Sequence, residues 1–218
     1  MSEVANESAH APESTAGESN AGESTADESN AGDPHAGRRR SRLIEWVDPK
    51  VIRESIATGG YRTGLEMLRG MAAGEIPRPP MSVTLGFRPT SFEEGQAVFE
   101  YEPDESGYNP LGMVHGGVAA TLLDTAMGCA VHTLLPIQTG YSTLELKINY
   151  LRPMHAGMGR VRAIGKILHL GKSTALAEGR LVDADDRLLA HGSTTCLILA
   201  PRGSAGDRRS RDRSSAEG

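Results

Sequence analysis

The feature of this sequence that most constrains its fold is the apolar run at residues 115–135, HGGVAATLLDTAMGCAVHTLL. The run has no proline before Pro136, so one continuous helix is its simplest structure. Its only formally charged residue is Asp124. A membrane span is the competing interpretation, but Asp124, His132 and a central Gly128 are costly in lipid. We therefore expect no membrane span and a helix at the centre of a fold, wrapped by a sheet.

Strand patterns occur on both sides of this run. Leu144, Leu146, Ile148 and Tyr150 alternate with polar residues, and this period of two predicts a strand with one apolar face. The predicted strands are residues 81–88, 96–101, 143–150, 159–170, 173–182 and 188–199, with a turn at 91–95. Consecutive strands with such short links should be antiparallel. The fold class predicted is α+β, with an antiparallel sheet around one buried helix.

Both ends of the chain differ from its centre in composition. Residues 13–32 repeat a five-residue unit, ESTAG or a close variant, that cannot bury enough apolar surface to offset ordering. Residues 1–42 and the arginine-rich residues 201–218 are therefore predicted to be disordered tails. Residues 43–80 are predicted to be a helical lead-in that starts at Asp48-Pro49 and ends at a cluster of prolines. Residues 81–200 form the predicted main domain.

Charge and cysteine content exclude some functions. Residues 43–201 hold 17 acidic and 14 basic residues, and this slightly negative balance argues against nucleic-acid binding. Cys129 and Cys196 lie in apolar runs without metal-ligand spacing, so neither a disulfide framework nor a metal site is expected. The N-terminus lacks the basic and apolar regions of a secretory signal, and a cytoplasmic location is the expectation.

Two glycines open the predicted central helix. Gly116 and Gly117 leave the first backbone N–H groups sterically open, and the helix dipole favours negative charge there. Such a site could hold an oxyanion. The alternative is that the glycines only allow the preceding loop to pack tightly.

Asp124 is the second candidate functional group, because its helical neighbours are apolar. Burying a carboxylate without a partner is expensive. One explanation is a structural bond, for instance to Lys147 or Arg152, and the other is a role as general base or nucleophile. Eight residues separate Asp124 from Gly116, about 12 Å along a helix. If both serve one reaction, Asp124 must act on a substrate held by Gly116 of a second copy, so catalysis predicts a dimer.

Three features follow one another in the sequence: the motif N-x-x-G-x-x-H-G-G followed by Asp124, a strand YSTLELKINYLRP, and a Gly-Lys turn. This combination resembles the hotdog-fold acyl-CoA thioesterases of the PaaI-like, phenylacetate-pathway family. The resemblance covers about residues 80–199. It implies a curved antiparallel sheet wrapped around one long helix, hydrolysis of an acyl-CoA thioester, and a homodimer or homotetramer with active sites at the dimer interface. It implies no cofactor, because coenzyme A is part of the substrate.

The resemblance also implies roles for individual residues. Gly116 is the backbone donor to the thioester carbonyl, Asn109 lies near that carbonyl or the attacking water, and Asp124 attacks or activates the water. Ser142 helps to place the water, and His115 either shapes the loop or bonds near the thioester. The expected substrate-binding residues are Gly117, Thr143, Arg152, Lys172 and Met127. The acyl tunnel is expected to be lined by Met113, Met127, Val131 and Tyr141. A non-catalytic acyl-CoA-binding protein is the alternative function.

Overall fold

The computed structural model of the chain describes residues 47–199. The predicted tails, 1–42 and 201–218, and the start of the predicted lead-in lie outside the described residues. The helices of the described part are α1 (Pro49–Thr58), α2 (Gly64–Ala73), α3 (Pro80–Leu85) and α4 (Gly116–His132). Its strands are β1 (Arg88–Glu93), β2 (Gln96–Tyr101), β3 (Gly140–Tyr150), β4 (Val161–Leu170), β5 (Thr174–Val182) and β6 (Leu188–Leu199).

The six strands form one antiparallel sheet in the order β1-β2-β4-β5-β6-β3. The sequence prediction of an antiparallel sheet around one helix is confirmed, because α4 packs against β2, β3, β4, β5 and β6. Strand β3 follows α4 directly in the chain but pairs only with β6 within residues 47–199. This crossover places β3 at an edge of the sheet, beside the helix that precedes it.

A row of three glycines lets α4 approach the sheet closely. Gly165, Gly179 and Gly192 lie opposite one another in register on β4, β5 and β6. A Cβ on Gly165 would lie 2.2 Å from the carbonyl oxygen of Ala126, and one on Gly179 would lie 2.9 Å from the Met127 side chain. Real Cβ atoms do not approach so closely, so glycine at these positions fixes how deeply the helix is seated.

Helix α2 of the lead-in packs at the C-terminal end of α4 and beside β1. Asp48 accepts a hydrogen bond from the Lys50 amide at 2.8 Å, which confirms the predicted start of α1. The helical segment is predicted from the sequence to end at Gly74, before the prolines, and α2 does end there, with Gly74 in a left-handed conformation. The Gly64 amide donates to the Leu135 carbonyl at 2.9 Å, and Arg69 donates to the Phe92 carbonyl at 3.1 Å.

Two local predictions are wrong between residues 80 and 95. The strand predicted at 81–88 is mostly helix α3, which has Pro80 in its first turn and a left-handed Gly86 at its end. A short apolar run is compatible with either a helix or a strand, and the flanking Pro80 and Gly86 favour the helix here. β1 therefore begins later, at Arg88, and the turn predicted at 91–95 shrinks to Glu94 and Gly95.

Strand β3 departs from strict alternation at Leu144. Its register against β6 shifts between Thr143 and Glu145, which marks a β-bulge. Leu144 is 58% exposed, whereas Leu146 and Ile148 are half-buried against the core. The prediction that Leu144 shares their face is therefore wrong, because the extra residue reverses the alternation before it.

No helix within residues 47–199 is both long and apolar enough to cross a membrane.

Candidate active site

The loop before α4 is held by the side chain of Asn109. Its Oδ1 accepts hydrogen bonds from the amides of Leu111 and Met113, at 2.9 and 3.3 Å. The Asn109 amide donates to the Met113 carbonyl at 2.8 Å, which closes the loop. Asn109 also lines the cavity at the start of α4. Because Oδ1 is committed to the loop, Nδ2 is the donor that Asn109 can offer to a ligand.

His115 caps α4. Its Nδ1 accepts from the Gly117 amide at 2.9 Å, and its carbonyl accepts from the Val118 amide at 2.9 Å. Nδ1 must be unprotonated to accept this bond, so Nε2 carries the proton of the neutral ring. This capping role agrees with the loop-shaping alternative for His115. It also commits the Gly117 N–H, which the sequence had assigned to substrate binding.

Gly116 is the first residue of α4, and its N–H has no intrahelical partner. No acceptor for this N–H occurs among residues 47–199. The Tyr150 hydroxyl donates to the Gly116 carbonyl at 3.2 Å, and a Cβ on Gly116 would lie 3.3 Å from the Tyr150 ring. The N-terminus of α4 therefore presents one open amide at a position where Tyr150 restricts side-chain size.

A cavity of about 410 Å³ adjoins Gly116. Its lining comes from the loop before α4, from α4 itself and from the ends of β3, β5 and β6. The lining residues are Asn109, Met113, Val114, Gly116, Ala119, Tyr150, Leu151, Arg152, Pro153, Met154, Leu181, Leu189 and Ala190. Asp124 is not among them.

Asp124 is half-buried on the face of α4 that meets β3. The Thr143 hydroxyl donates to Asp124 Oδ1 at 2.8 Å, which holds the carboxylate and leaves Oδ2 as its second acceptor. Within the described residues, Asp124 forms no ion pair with Lys147 or Arg152. Instead, Arg152 donates to the Leu188 carbonyl at 2.5 Å.

Ser142 does not join Asp124 within one protomer. Tyr141 packs on Gly128 of α4, and Thr143 bonds to Asp124, so Ser142 between them faces away from the helix. It is exposed. Within one protomer, Thr143 is the hydroxyl residue that contacts the carboxylate, and the predicted role of Ser142 in placing the water stays a prediction.

The remaining predicted binding residues are widely separated. Arg152 lies at the rim of the cavity, whereas Lys172 is exposed in the β4–β5 turn at the other end of the sheet. Met127 is fully buried between α4 and the sheet, against Gly179, so its assignment to substrate binding is wrong.

The four residues predicted to line an acyl tunnel do not lie together in one cavity. Met113 lines the cavity, whereas Val131, like Met127, is completely buried in the core. Tyr141 packs near the C-terminal end of α4, with its ring 5.5 Å from that of His132. The prediction for Met127 and Val131 rested on their apolar character, which does not distinguish a core residue from a residue that lines a cavity.

Two ionisable side chains near Asp124, Cys129 and Tyr141, remain neutral near pH 7, and so does His132, which packs on Tyr141. Burial raises the pKa of the Cys129 thiol to about 12, and this effect is larger than that of the hydrogen bond from Tyr141, which lowers the pKa. Burial likewise raises the pKa of Tyr141 well above its ordinary value and lowers the pKa of His132. Neither Cys129 nor Tyr141 therefore offers an anionic nucleophile, which leaves Asp124 as the candidate at this position.

Gly116 and Asp124 lie on the same face of α4, since both meet β3, but at different points along it. Eight residues of continuous helix separate them by about 12 Å. Gly116 lies against Tyr150 near one end of β3, and Asp124 lies against Thr143 towards the other. One protomer therefore presents two separate halves of a site, an amide beside a cavity and a carboxylate beside an edge strand.

Four residues of the cavity lining were not predicted from the sequence: Tyr150, Leu181, Leu189 and Ala190. Tyr150 ends the alternating series of β3, and its aromatic ring at a strand end was the only local signal. Leu181 and Ala190 are register partners, and Ala190 also pairs with Tyr150. No local pattern identifies such residues, because only the strand order brings them to the start of α4.

Within residues 47–199, no three His, Cys, Asp or Glu side chains come together as a metal-ligand set. The predicted absence of a metal or separate cofactor stays a prediction.

Comparison with known proteins decides the family. The sequence model described as "Thioesterase superfamily" matches residues 111–190. The 1,4-dihydroxy-2-naphthoyl-CoA hydrolase of Listeria monocytogenes is 32% identical, over 55% of this chain and 95% of that protein. The chain belongs to the thioesterase superfamily.

Three further proteins are similar to the chain. The medium/long-chain acyl-CoA thioesterase YigI of Salmonella typhimurium is 29% identical, over 55% of this chain and 85% of that protein. The structure of E. coli PaaI superposes with a TM-score of 0.56 over 64% of this chain and 98% of PaaI, at 21% identity. This superposition confirms the predicted hotdog fold. A Ralstonia eutropha protein described as phenylacetic acid degradation-related is 29% identical over 60% of this chain and 98% of that chain, and its structure superposes with a TM-score of 0.54, which confirms the PaaI-like resemblance.

Proposed function

We propose that this protein hydrolyses acyl-CoA thioesters to a free acid and coenzyme A. The observation that carries the proposal is the uncommitted Gly116 amide at the N-terminus of α4, which adjoins the 410 Å³ cavity. An open amide at a helix N-terminus stabilises an oxyanion, because its N–H and the helix dipole both favour negative charge. The names of the Listeria and Salmonella relatives, both of which act on acyl-CoA, support this choice of substrate.

In the proposed reaction, the thioester carbonyl oxygen accepts from Gly116 N–H, with Asn109 Nδ2 nearby. Asp124 of the partner subunit supplies the nucleophile or takes a proton from the attacking water. When water attacks, its proton passes to Asp124, the new C–O bond forms, the C–S bond breaks, and the thiolate takes the proton back from Asp124. When Asp124 attacks, the C–S bond breaks to leave an anhydride between the acyl group and Asp124. A water then hydrolyses this anhydride to the free acid, restores the carboxylate and supplies the proton for the thiolate. Thiolate is a good leaving group, so one oxyanion donor and one carboxylate are sufficient, without a metal or cofactor.

Thr143 is a positioning residue in this scheme. Its hydroxyl holds Asp124 Oδ1 at 2.8 Å, which orients Oδ2 for a water or a carbonyl carbon. Arg152 at the cavity rim is the candidate for coenzyme A phosphates. Ser142 faces away from its own helix, so it can reach the reacting groups only across an interface between protomers.

The proposal requires a homodimer, alone or within a homotetramer. The separation of Gly116 and Asp124 along α4 supports this requirement. Within residues 47–199 no strand pairs with the outer edge of β3, and Leu144 on β3 and Leu151 just after it are 58% and 53% exposed. This edge supports the requirement too, because exposed apolar edge strands favour pairing. We propose a cytoplasmic location, because the free cysteines Cys129 and Cys196 fit a reducing compartment.

The test is free-thiol release from a panel of aliphatic and aryl acyl-CoAs, with wild type compared with Asp124→Asn at matched dimer content. Asn preserves the size of the side chain and can still accept from Thr143. We expect release by wild type and loss of most turnover in the variant. Near-normal turnover in Asp124→Asn contradicts the mechanism. Tight acyl-CoA binding without release from any substrate favours the non-catalytic binding protein instead.

A further inference from the structure

The residues that line the cavity beside Gly116 divide sharply by burial. Every buried lining residue is apolar, and these residues form what we call the cavity floor: Val114, Ala119, Met154, Leu181, Leu189 and Ala190. Every polar side chain of the lining is exposed or half-buried, and we call these the rim: Asn109, Tyr150 and Arg152.

The backbone of the floor adds few polar groups. The Val114 amide donates to the Met154 carbonyl at 3.0 Å. The Leu189 carbonyl accepts from the amides of Leu151 and Arg152, at 2.8 and 3.0 Å. A hydroxyl or amide placed on the floor would therefore meet hydrocarbon and peptide groups that are already paired.

This division decides which part of an acyl-CoA enters the cavity. The pantetheine arm carries two amides, and each needs hydrogen-bond partners that the floor lacks. The rim offers Asn109 Nδ2, the Tyr150 hydroxyl and Arg152, and it opens towards solvent. The arm therefore belongs at the rim, the thioester at Gly116, and the acyl tail on the floor.

The volume of the cavity in one protomer sets the scale for the length of the tail. Filled to the density of a protein interior, about 0.75, the 410 Å³ cavity holds roughly 18 carbon-sized atoms. The thioester and the first atoms of the arm take part of this space. An acyl chain of about eight to twelve carbons fills the remainder at that density.

We propose that the substrates are acyl-CoAs whose acyl group is an unsubstituted hydrocarbon of medium length, bound with its tail on the cavity floor. This inference rests on the proposed thioesterase function and adds the acyl class to it. Hydroxylated acyl groups are discriminated against because the floor leaves their hydroxyl unpaired.

The first experiment compares octanoyl-CoA with its terminally hydroxylated analogue on the wild-type protein, within a series from butanoyl- to palmitoyl-CoA. We expect the highest kcat/KM at octanoyl- or decanoyl-CoA, and a decrease of about tenfold or more for the hydroxylated analogue. Equal kcat/KM for the two octanoyl substrates overturns the inference, and so does a maximum at butanoyl-CoA.

The second experiment enlarges the floor. Leu181→Ala should move the maximum of kcat/KM towards longer chains, because Leu181 is completely buried on the floor. Leu68→Ala is the matched control, since it also truncates a buried leucine but lies on α2, outside the cavity lining. A shift of equal size in both variants means that lost stability, and not the floor, sets the chain length.

The two levels of the proposal fail in different ways. If wild type releases no thiol from any acyl-CoA, the proposed function itself is wrong. If it releases thiol without preferring medium hydrocarbon chains, the function stands and the assignment of the floor is wrong. The wild-type comparison needs no variant to fold, so this second failure stays visible if Leu181→Ala is too unstable to assay.

Discussion

Replacing Gly116 by proline removes the proposed oxyanion donor with little expected change in the helix. Gly116 is the first residue of α4, where proline is well tolerated because this N–H makes no helical bond. The preceding His115 has φ −59° and ψ 137°, the extended conformation that proline requires before it. Gly116→Ala is the matched control, because it adds the same Cβ, 3.3 Å from the Tyr150 ring, but keeps the N–H.

The expected effect is large and specific to kcat. Loss of one oxyanion-hole donor typically lowers kcat by about 10²- to 10³-fold. Gly116→Ala should lose far less, because the Tyr150 ring can yield by the few tenths of an ångström that the methyl group needs. Both variants should unfold at temperatures close to wild type. If Gly116→Pro turns over octanoyl-CoA as fast as Gly116→Ala, the amide is not the oxyanion donor.

The same variant tests whether the site is shared between protomers. Gly116→Pro and Asp124→Asn chains are co-expressed with different affinity tags, and the mixed dimer is isolated by two successive purifications. In a shared site, one of the two sites in this dimer combines an intact Gly116 with an intact Asp124 of the partner subunit. The mixed dimer should then show about half of the wild-type turnover.

A site within one chain predicts the opposite result. Each protomer of the mixed dimer then carries one defect, and the mixed dimer is as inactive as either parent. That outcome would refute the reasoning from the 12 Å separation. Two inactive parents that give an active mixture cannot be explained by damage to folding in either chain.

Three further predictions concern single residues. Thr143→Val should lower kcat about tenfold with little change in KM, because a hydrogen bond to a carboxylate contributes about 1.5 kcal/mol. Thr143→Ser keeps the hydroxyl and should restore most of the lost kcat. Equal kcat in Thr143→Val and wild type would mean that Asp124 does not need this hydrogen bond. Gly165→Ala should lower the free energy of unfolding in urea by about 3 kcal/mol, because its Cβ would lie 2.2 Å from the carbonyl oxygen of Ala126 in α4. An unchanged urea midpoint of unfolding would show that α4 can move away from the sheet. Asp183 has a pKa below its ordinary 3.8, because hydrogen bonds from Arg187 and a neighbouring amide outweigh the opposing effect of burial. Because the pKa of Asp183 is lower in the folded state than in the unfolded state, its carboxylate stabilises the fold above the unfolded-state pKa. This stabilisation is lost as the pH falls through the folded-state pKa. Asp183→Asn should therefore remove part of the difference in the free energy of unfolding between pH 5 and pH 2, as acid titration of unfolding will show.

The sequence predicted the central helix and the last strands well, because these segments are long and strongly patterned. Strand β6 has the predicted bounds, and β4 and β5 begin within two residues of the predicted positions. The short elements before residue 96 were harder, because α3 and β1 differ only in the prolines and glycines around them. The cavity floor was not predictable from local patterns, since it joins Leu181 and Leu189 to the start of α4 only through the strand order.

The spacing of the two candidate groups was predictable, because it depends only on helix geometry. Gly116 and Asp124 fall in one uninterrupted helix, as the sequence indicates, so their separation follows from the rise per residue. The partner of Asp124 was not predictable in the same way. Thr143 and Ser142 are adjacent hydroxyl residues on one strand, and the choice between them depends on which faces the helix.

The bulge at Leu144 makes that choice. Counting back from the core-facing Leu146 with a strict period of two would turn Leu144 and Ser142 to the helix, and Thr143 away from it. The extra residue reverses the alternation, so Thr143 points to Asp124 and Leu144 is exposed. Without the bulge, a leucine would lie near the carboxylate in place of a hydroxyl donor. β-Bulges re-aim side chains in this way both at sheet edges and next to active sites, and the bulge in the edge strand β3 gives Asp124 its hydroxyl partner.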